Sequence, residues 1–214
     1  KLTLMKRKLL LLWTFLLCFA AGVSAQGSEV FNKISSLDEL TDGEYLIVGK
    51  DERAMGAIPS GKTYYSAVEI TATNDKITNV GNAIVWTIKK VDGKYIISAH
   101  GSYVASKGSS NAAQAVASES SASKHTATYD ASKGTFKLTD NLQTDRMLQY
   151  NANKDQWRFA YYLAKSNQND LMLYKKATGT APAVSKPTIE GISPFYQSTT
   201  VTLACETTAA AIYY

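Results

Sequence analysis

The sequence predicts an all-β fold built around a closed antiparallel sheet with threefold repetition. Short runs of β-branched, aromatic and leucine residues recur along the chain, with turn signals between them. No window of twelve or more residues carries the sustained apolar stripe of an amphipathic helix. One strand motif also occurs three times. Together these observations favour a barrel of strands, and a β-sandwich is the alternative.

Several segments of the chain carry the strand signal. They are residues 45–48, 84–88, 95–97, 135–138, 147–150, 157–161 and 171–174. Apolar and polar side chains alternate in 86–89 and 136–138, which is typical of half-buried strands. The one helical signal is the capping box of Ser36 and Glu39, which predicts a single turn before Gly43.

The repeated motif is a glycine, any residue, an aromatic residue, any residue, and then isoleucine or leucine. It occurs as Gly43-Glu-Tyr45-Leu-Ile47, Gly93-Lys-Tyr95-Ile-Ile97 and Gly134-Thr-Phe136-Lys-Leu138. Alternate side chains of a strand lie on one face, so the aromatic and aliphatic residues of each copy should share one core. Three copies at spacings of 50 and 41 residues favour a closed sheet of three similar units.

The second copy lies in a longer pattern that resembles one repeat of the ricin-type β-trefoil. It follows a strand that begins at Trp86 and precedes the short segment Gly101-Ser-Tyr103-Val104. The resemblance covers about residues 40–177 and implies a β-trefoil-like barrel. Ricin-type sugar sites use Gln-x-Trp, whereas Gln156 is followed directly by Trp157 here. The resemblance therefore implies a fold and assigns no sugar-binding residue.

Residues 106–127 separate the second copy from the third. They include thirteen Ser or Ala among 22 residues, a composition with little apolar bulk to bury. We expect a mobile surface loop there, with at most one weak edge strand at 115–117.

Residues 1–25 are predicted to be a cleaved secretory signal peptide. A basic cluster of Lys6, Arg7 and Lys8 precedes fifteen almost entirely apolar residues, and small residues follow before Gln26. The apolar run is shorter than the ~20 residues of a membrane-spanning helix, so no stable membrane anchor is expected after cleavage. We expect the protein in the periplasm, at the cell surface or outside the cell.

Loss of this signal changes the charge of the chain. The signal takes four of the 23 Lys and Arg residues and none of the 18 acidic residues, which leaves a net charge of +1. No basic stripe for phosphates remains, so nucleic acid is not an expected partner. After the signal, the chain has one cysteine, Cys205, and two histidines, His100 and His125, which are too few to suggest a metal site. Neither a metal nor another cofactor is predicted.

The β-trefoil-like domain is assigned to 26–177, and the composition of the chain changes after it. Residues 178–185 are a linker rich in Pro, Gly and Thr. Beyond it, Lys186-Pro-Thr-Ile189 and Thr200-Val-Thr-Leu203 closely resemble the opening of the chitobiase and β-hexosaminidase C-terminal domain. This resemblance implies a truncated immunoglobulin-like β-sandwich over 186–214. Modules in this order indicate an exported bacterial multi-domain protein.

One segment matches a nucleotide-binding motif. Gly56-Ala-Ile-Pro-Ser-Gly61-Lys62-Thr63 fits G-x-x-x-x-G-K-[ST] at every fixed position. A phosphate loop opens a helix whose N-terminus faces the anion, whereas 64–70 has strand-forming residues. We interpret the segment as a surface turn. No serine-nucleophile or zinc-protease motif is present and the acidic pairs lie at turns, so no catalytic residue is predicted.

Aromatic residues are the remaining functional signal. The chain has thirteen tyrosines and three tryptophans, and exposed rings of this kind anchor ligands and interfaces. Neighbouring tyrosines of a strand point to opposite faces, so one member of each adjacent pair should face away from the core. The predicted surface patch consists of Tyr64, Tyr65, Trp157, Arg158, Tyr161 and Tyr162. The alternative is that these rings pack in the barrel or cover its ends.

These features predict a non-catalytic binding module of an exported multi-domain protein, with a glycan or another cell-surface ligand as its partner. Two alternatives stay open. The module is a structural spacer, or it is an accessory part of a secreted hydrolase or nuclease whose catalytic domain lies beyond residue 214.

Overall fold

The computed structural model describes residues 29–153 and 156–178, together with the backbone of 188–190 and 202–204. The chain divides into two compact units, and the larger one is Ser28–Gly179. The predicted signal peptide lies outside the described residues. In the part of the chain that is described, no helix has the length and apolarity that crossing a membrane requires.

Short strands joined by tight turns make up most of the described structure. In chain order they are β1 (Val30–Lys33), β2 (Gly43–Gly49), β3 (Arg53–Met55), β4 (Tyr65–Glu69), β5 (Ala72–Thr73), β6 (Lys76–Thr78), β7 (Trp86–Val91), β8 (Lys94–Ala99), β9 (Ser102–Ser106), β10 (Ala113–Val116), β11 (Lys124–Asp130), β12 (Thr135–Asp140), β13 (Arg146–Asn151), β14 (Arg158–Leu163), β15 (Met172–Lys176), β16 (Thr188–Glu190) and β17 (Thr202–Ala204). Two single-turn 3-10 helices are Asn82–Ile84 and Ser121–Ser123.

Six of these strands close into a barrel. β2 pairs with β15 and with β7, β7 pairs with β8, β8 pairs with β11, and β11 pairs with β12, always antiparallel. The ring closes where Phe136 and Leu171 exchange backbone hydrogen bonds of 2.6 and 3.1 Å. A ring that closes on itself leaves no barrel edge unpaired, so the β-sandwich alternative is wrong for this unit.

Three hairpins extend the barrel. β3–β4 continues from β2, β9–β10 from β8, and β13–β14 from β12. The hairpins also contact one another, because β14 pairs with β4 and the amide of Ala113 donates to the carbonyl of Thr63 at 2.7 Å. Each hairpin and its two barrel strands form one repeat: the first is 43–91, the second 94–130 and the third 135–176. A six-stranded barrel with three hairpins is the β-trefoil fold.

The predicted motif opens each repeat, on β2, β8 and β12. Its aromatic and aliphatic side chains are all buried in the barrel: Tyr45, Ile47, Tyr95, Ile97, Phe136 and Leu138. Strand register defines a second set of equivalent positions. Trp86 lies opposite Tyr45, His125 lies opposite Tyr95, and Leu171 lies opposite Phe136. The predicted threefold repetition is confirmed, and one core position holds three different side chains.

Three strands, β1, β5 and β6, are additions to the plan that the repeats share, and they enlarge the first repeat. β5 and β6 form a hairpin inserted between β4 and β7; β6 pairs with β1, and β1 pairs with β15. Asn74 and Asp75 turn this hairpin with φ of 53° and 58°, as a type I′ turn requires. Phe31 and Ile77 are buried against Leu46, on the face of β2 opposite the barrel core. This second apolar cluster anchors the inserted hairpin.

The Ser- and Ala-rich region 106–127 is not one continuous loop, and the edge strand allowed for at 115–117 is present as β10, over Ala113–Val116. The first part of β11 also lies in the region, with turns between the strands. β10 pairs with β9, with Ala113 opposite Ser106, and Ala113 is fully buried. Backbone hydrogen bonds need no bulky side chains, and small residues let the hairpin approach its neighbours. Composition therefore misled the assignment.

Part of the predicted immunoglobulin-like region is described. β16 and β17 pair antiparallel, with Ile189 opposite Leu203. These strands fall in the two segments that carry the resemblance to the chitobiase C-terminal domain. The rest of 186–214 lies outside the described residues, and the immunoglobulin-like module stays a prediction.

Candidate functional site

The segment that matches a phosphate loop is a turn between β3 and β4. The amide of Gly56 donates to the carbonyl of Ser66 at 2.9 Å, and the amide of Lys62 donates to the carbonyl of Pro59 at 3.0 Å. A Cβ on Gly56 would lie 2.6 Å from the Ser66 hydroxyl oxygen, so close approach of the two strands explains this glycine. A strand follows the turn and no helix opens there, which confirms the surface-turn interpretation.

Three members of the predicted surface patch are buried. Tyr65 and Tyr161 belong to the barrel core, and Tyr162 is also almost fully buried. The Tyr65 hydroxyl donates to the carbonyl of Gln114 at 3.0 Å. The alternative stated above is therefore correct for these rings, and their assignment to the surface patch is wrong. Tyr161 is buried in the core against His125, and the Tyr162 hydroxyl accepts from the side chains of Asn151 and Arg158 at 3.3 Å each.

The hydroxyl of Tyr161 meets His125 inside the barrel. His125 is fully buried, with Nδ1 at 3.2 Å from the carbonyl oxygen of Tyr95 and Nε2 at 2.5 Å from the Tyr161 hydroxyl. A carbonyl oxygen only accepts, so Nδ1 carries the proton and the Tyr161 hydroxyl donates to Nε2. Burial lowers the pKa of His125 to about 4 and raises that of Tyr161 well above its usual value. His125 falls in the region predicted to be a loop, and it lies on β11.

The other three members remain at the surface. The ring of Trp157 is 44% exposed, and Tyr64 and Arg158 are partly exposed. The guanidinium carbon of Arg158 lies 5.3 Å from the Tyr64 ring centroid, and its Nη2 donates to the Gln156 amide oxygen at 2.6 Å. Trp157 lies next to Arg158 in sequence but contacts a different arginine, Arg53, whose guanidinium carbon is 4.1 Å from its ring centroid.

A cleft of about 980 Å³ opens beside Arg53, and we call it the first-repeat cleft. The β2–β3 turn, the end of β4 and the inserted β5–β6 hairpin bound it. Polar side chains from these segments line it: Asp51, Glu52, Arg53, Glu69, Lys76 and Asn79. Val68 adds an exposed apolar side chain. The first-repeat cleft therefore combines charged, amide and apolar surface.

Two of the three carboxylates in the cleft have structural partners. The guanidinium of Arg53 lies 2.7 Å from the Glu69 carboxylate, and the Glu52 carboxylate accepts from the amide of Ala72 at 3.3 Å. Arg53 thus joins the cleft to the exposed ring of Trp157. The arrangement offers hydrogen-bond donors and acceptors next to an aromatic surface. In the described ranges, no three His, Cys, Asp or Glu side chains converge on a metal position.

Sequence reasoning missed this cleft. The signal that was present is the Asp51-Glu52 turn, whose residues have φ of 62° and 52° between two strand segments. A second signal is the Asn74-Asp75 turn of the inserted hairpin. The cleft itself arises because that hairpin folds back over the first repeat. A smaller cleft of about 330 Å³ occupies the corresponding place in the second repeat, at the β8–β9 turn.

Known proteins resemble this chain in structure. No protein-family model matches the chain, and no curated protein matches it. A mosquitocidal holotoxin matches with a TM-score of 0.50 and 12% identity, over 71% of this chain and 19% of that chain. The Polyporus squamosus lectin, solved with Neu5Aca2-6Galb1-4GlcNAc, has a TM-score of 0.49 and 12% identity, over 64% of this chain and 49% of its own. The match thus spans about half the lectin's length.

A further match is a structure named BEL β-trefoil, with a TM-score of 0.48 and 11% identity over 63% of this chain and 93% of its own. Identities this low concern the fold alone. The strand topology defines the class: the larger unit is a β-trefoil.

Proposed function

We propose that this chain is the non-catalytic, carbohydrate-binding part of an exported multi-domain protein. The observation that carries the proposal is the first-repeat cleft with the exposed Trp157 ring on its arginine-bearing side. Sugars present hydroxyl groups and flat apolar faces together, so a site for them combines side-chain donors and acceptors with an aromatic ring. Export rests on the signal-like residues 1–25.

The charge of the cleft supports a ligand that is not strongly charged. The Arg53–Glu69 pair neutralises one carboxylate, Lys76 offsets a second, and Asp51 is the third. Because cleft and ring come from different repeats, one ligand that touches both must span the boundary between the first and third repeats. We therefore expect an oligosaccharide to bind better than a monosaccharide.

Glycan-array binding of the chain tests this proposal. Trp157→Ala should weaken binding at least about tenfold, because a hot-spot aromatic contact is worth about 2 kcal/mol or more and about 1.4 kcal/mol is tenfold in affinity. Leu142→Ala is the matched control, since it also truncates an exposed apolar side chain, 56% exposed, on the β12–β13 turn. No glycan bound by the unmutated chain, or equal losses in both variants, would contradict the proposal and favour a spacer.

A further inference from the structure

Another cleft, of about 400 Å³, shares no lining residue with the first-repeat cleft. Three separate segments converge on it: the end of β2, the β11–β12 turn, and the segment before β15. The polar side chains that line it are Lys50, Lys133, Thr135, Gln168, Asn169 and Asp170. We call it the lysine cleft.

The side chains that line the lysine cleft include two lysines and one acidic residue. Lys133 is paired at 3.5 Å with Asp130, which lies outside the lining, while Lys50 makes no ion pair with any residue that the structure describes. The acidic residue of the lining is Asp170, and its Oδ1 accepts from the Gln149 side chain at 2.9 Å. The ammonium group of Lys50 therefore faces a lining whose carboxylate is already hydrogen-bonded. An anion is favoured there over a cation.

Two polar atoms of the lining also have no hydrogen-bond partner among the described residues. They are the Thr135 hydroxyl oxygen and the Gln168 amide oxygen, and both are buried. Buried polar groups are almost always hydrogen-bonded, because leaving one unpaired is unfavourable. The side chain of Gln168 is partly exposed, and its terminal torsion has broad minima, so its amide turns readily toward a group in the cleft. A ligand hydroxyl has the donor that this amide oxygen lacks and the acceptor that the Thr135 hydroxyl lacks.

We propose that the lysine cleft binds an acidic saccharide, meaning a sugar whose carboxylate or sulfate lies between Lys50 and Lys133 while a ring hydroxyl bonds Thr135 and Gln168. Lysine ammonium groups supply charge-assisted hydrogen bonds to the anion. The hydroxyl contacts distinguish a sugar from a bare anion. The inference shares with the proposed function the premise of a saccharide ligand, but it concerns a different site.

NMR titration of the ¹⁵N-labelled chain tests it. The probes are methyl β-glucuronide, glucose 6-sulfate, methyl β-glucoside and inorganic sulfate. The two acidic sugars should shift the amide signals of Lys50, Thr135 and Gln168. The neutral glucoside and bare sulfate should bind at least about tenfold more weakly there, because each lacks one of the two contacts.

Variants separate the two contacts. Lys50→Gln combined with Lys133→Gln should lower affinity for both acidic sugars at least about tenfold, whereas Lys89→Gln, an exposed lysine on β7, should leave it unchanged. Thr135→Val should lower sugar affinity yet raise the melting temperature, because it removes an unpartnered buried hydroxyl at nearly constant shape. A residue with a purely structural role would not move the two readouts in opposite directions.

Two outcomes overturn the inference, and a third concerns only the proposed function. Equal binding of sulfate and acidic sugar reduces the lysine cleft to a simple anion site. Shifts confined to Ile70 and Asn79 place the acidic sugar in the first-repeat cleft, which leaves the proposed function intact. Shifts at the lysine cleft with a silent glycan array and a silent Trp157→Ala variant would contradict the proposed function alone.

Discussion

The first and second repeats have the same strand plan, but they differ at the surface and in the core. At the surface, the inserted hairpin of the first repeat gives a cleft of about 980 Å³, against about 330 Å³ at the matching place in the second. In the core, Trp86 of the first repeat corresponds to His125 of the second. Strand pairing therefore determines the direction of the side chain at each position, but it does not determine which residue type occupies that position.

The polar side-chain atoms of Trp86 and of His125 are hydrogen-bonded to different kinds of partner. The indole nitrogen of Trp86 donates to the carbonyl of Met55 at 2.7 Å, and its ring packs edge-on against Tyr65 at 5.3 Å between centroids. His125 instead needs Tyr161, which has an alanine, Ala67, at the corresponding position of the first repeat. The larger tyrosine of the third repeat supplies the hydrogen-bond donor that His125 requires. The repeats have thus diverged in pairs that remain complementary.

The largest expected effect is loss of the Trp86 ring. Trp86→Ala should reduce the free energy of unfolding by about 3–5 kcal/mol, because it removes a buried aromatic side chain and leaves a cavity among Tyr65 and Met55. Urea denaturation measures this. Trp157→Ala serves as the control, and we expect it to change stability by less than about 1 kcal/mol, since its ring is largely at the surface. Similar losses in the two variants would contradict the assignment of Trp86 to the core and of Trp157 to the surface.

A second prediction concerns acid. The pKa of His125 is lowered by burial to about 4 in the folded protein, below its value of 6.5 in an unfolded chain. The unfolded state therefore takes up the proton first, and stability falls as the pH drops from about 6.5 to about 4. The expected loss is about 3 kcal/mol from this one group.

Comparison of variants isolates the histidine from other acid effects. In His125→Leu, which uses the side chain of the third repeat at this position, the pH-dependent loss should be smaller by about 3 kcal/mol than in the unmutated chain. His100→Asn removes an exposed histidine at a positive-φ turn that asparagine tolerates, and it should retain the full pH dependence. Parallel pH profiles for the unmutated chain and His125→Leu would refute the assignment.

The smallest effect comes from the sixth residue after the motif glycine, which is Gly49 in the first repeat and Ala99 in the second. A Cβ on Gly49 would lie 2.3 Å from the Tyr150 ring. Gly49→Ala should therefore destabilise the protein by about 1–3 kcal/mol through overpacking. Ala99→Gly should cost less than about 1 kcal/mol. Thermal denaturation of both variants checks the difference, and a neutral Gly49→Ala would show that the first repeat tolerates the second repeat's residue.

Much of the fold was predictable because it depends on local patterns. The motif residues, such as Tyr45 and Phe136, alternate as strands require, and the turn glycines mark where strands begin. The Ser- and Ala-rich region was predictable only in part: an edge strand was allowed for at 115–117, but β10 is held by backbone pairing with β9 and its small side chains give a weak strand signal. Strand β4 shows the same limit in a different way: Tyr65 is buried while Val68 and Glu69 are exposed, and the residue types of the strand do not show which of its ends is covered.

The candidate sites were less predictable than the fold. Trp157 was found from its residue type, and it is exposed as expected. The patch around it failed for Tyr161 and Tyr162. Tyr161 contacts His125, which is distant in sequence. The Tyr162 hydroxyl accepts from Asn151 and Arg158, and only the folded hairpin brings those side chains to it. Neither the first-repeat cleft nor the lysine cleft was predicted. The first-repeat cleft depends on where the inserted hairpin lies, and the lysine cleft brings Lys50 near Gln168, which is distant in sequence.

The sequence by itself determined the all-β class, the three equivalent units and the turn nature of the phosphate-loop match, because turn chemistry and the alternation of side chains are local properties. The tertiary structure alone decided which tyrosines are buried, which residue faces His125 and which side chains line each cleft. Those outcomes depend on contacts between residues that are distant along the chain. Closure of the barrel creates these contacts, since it brings the ends of the three repeats together around one core.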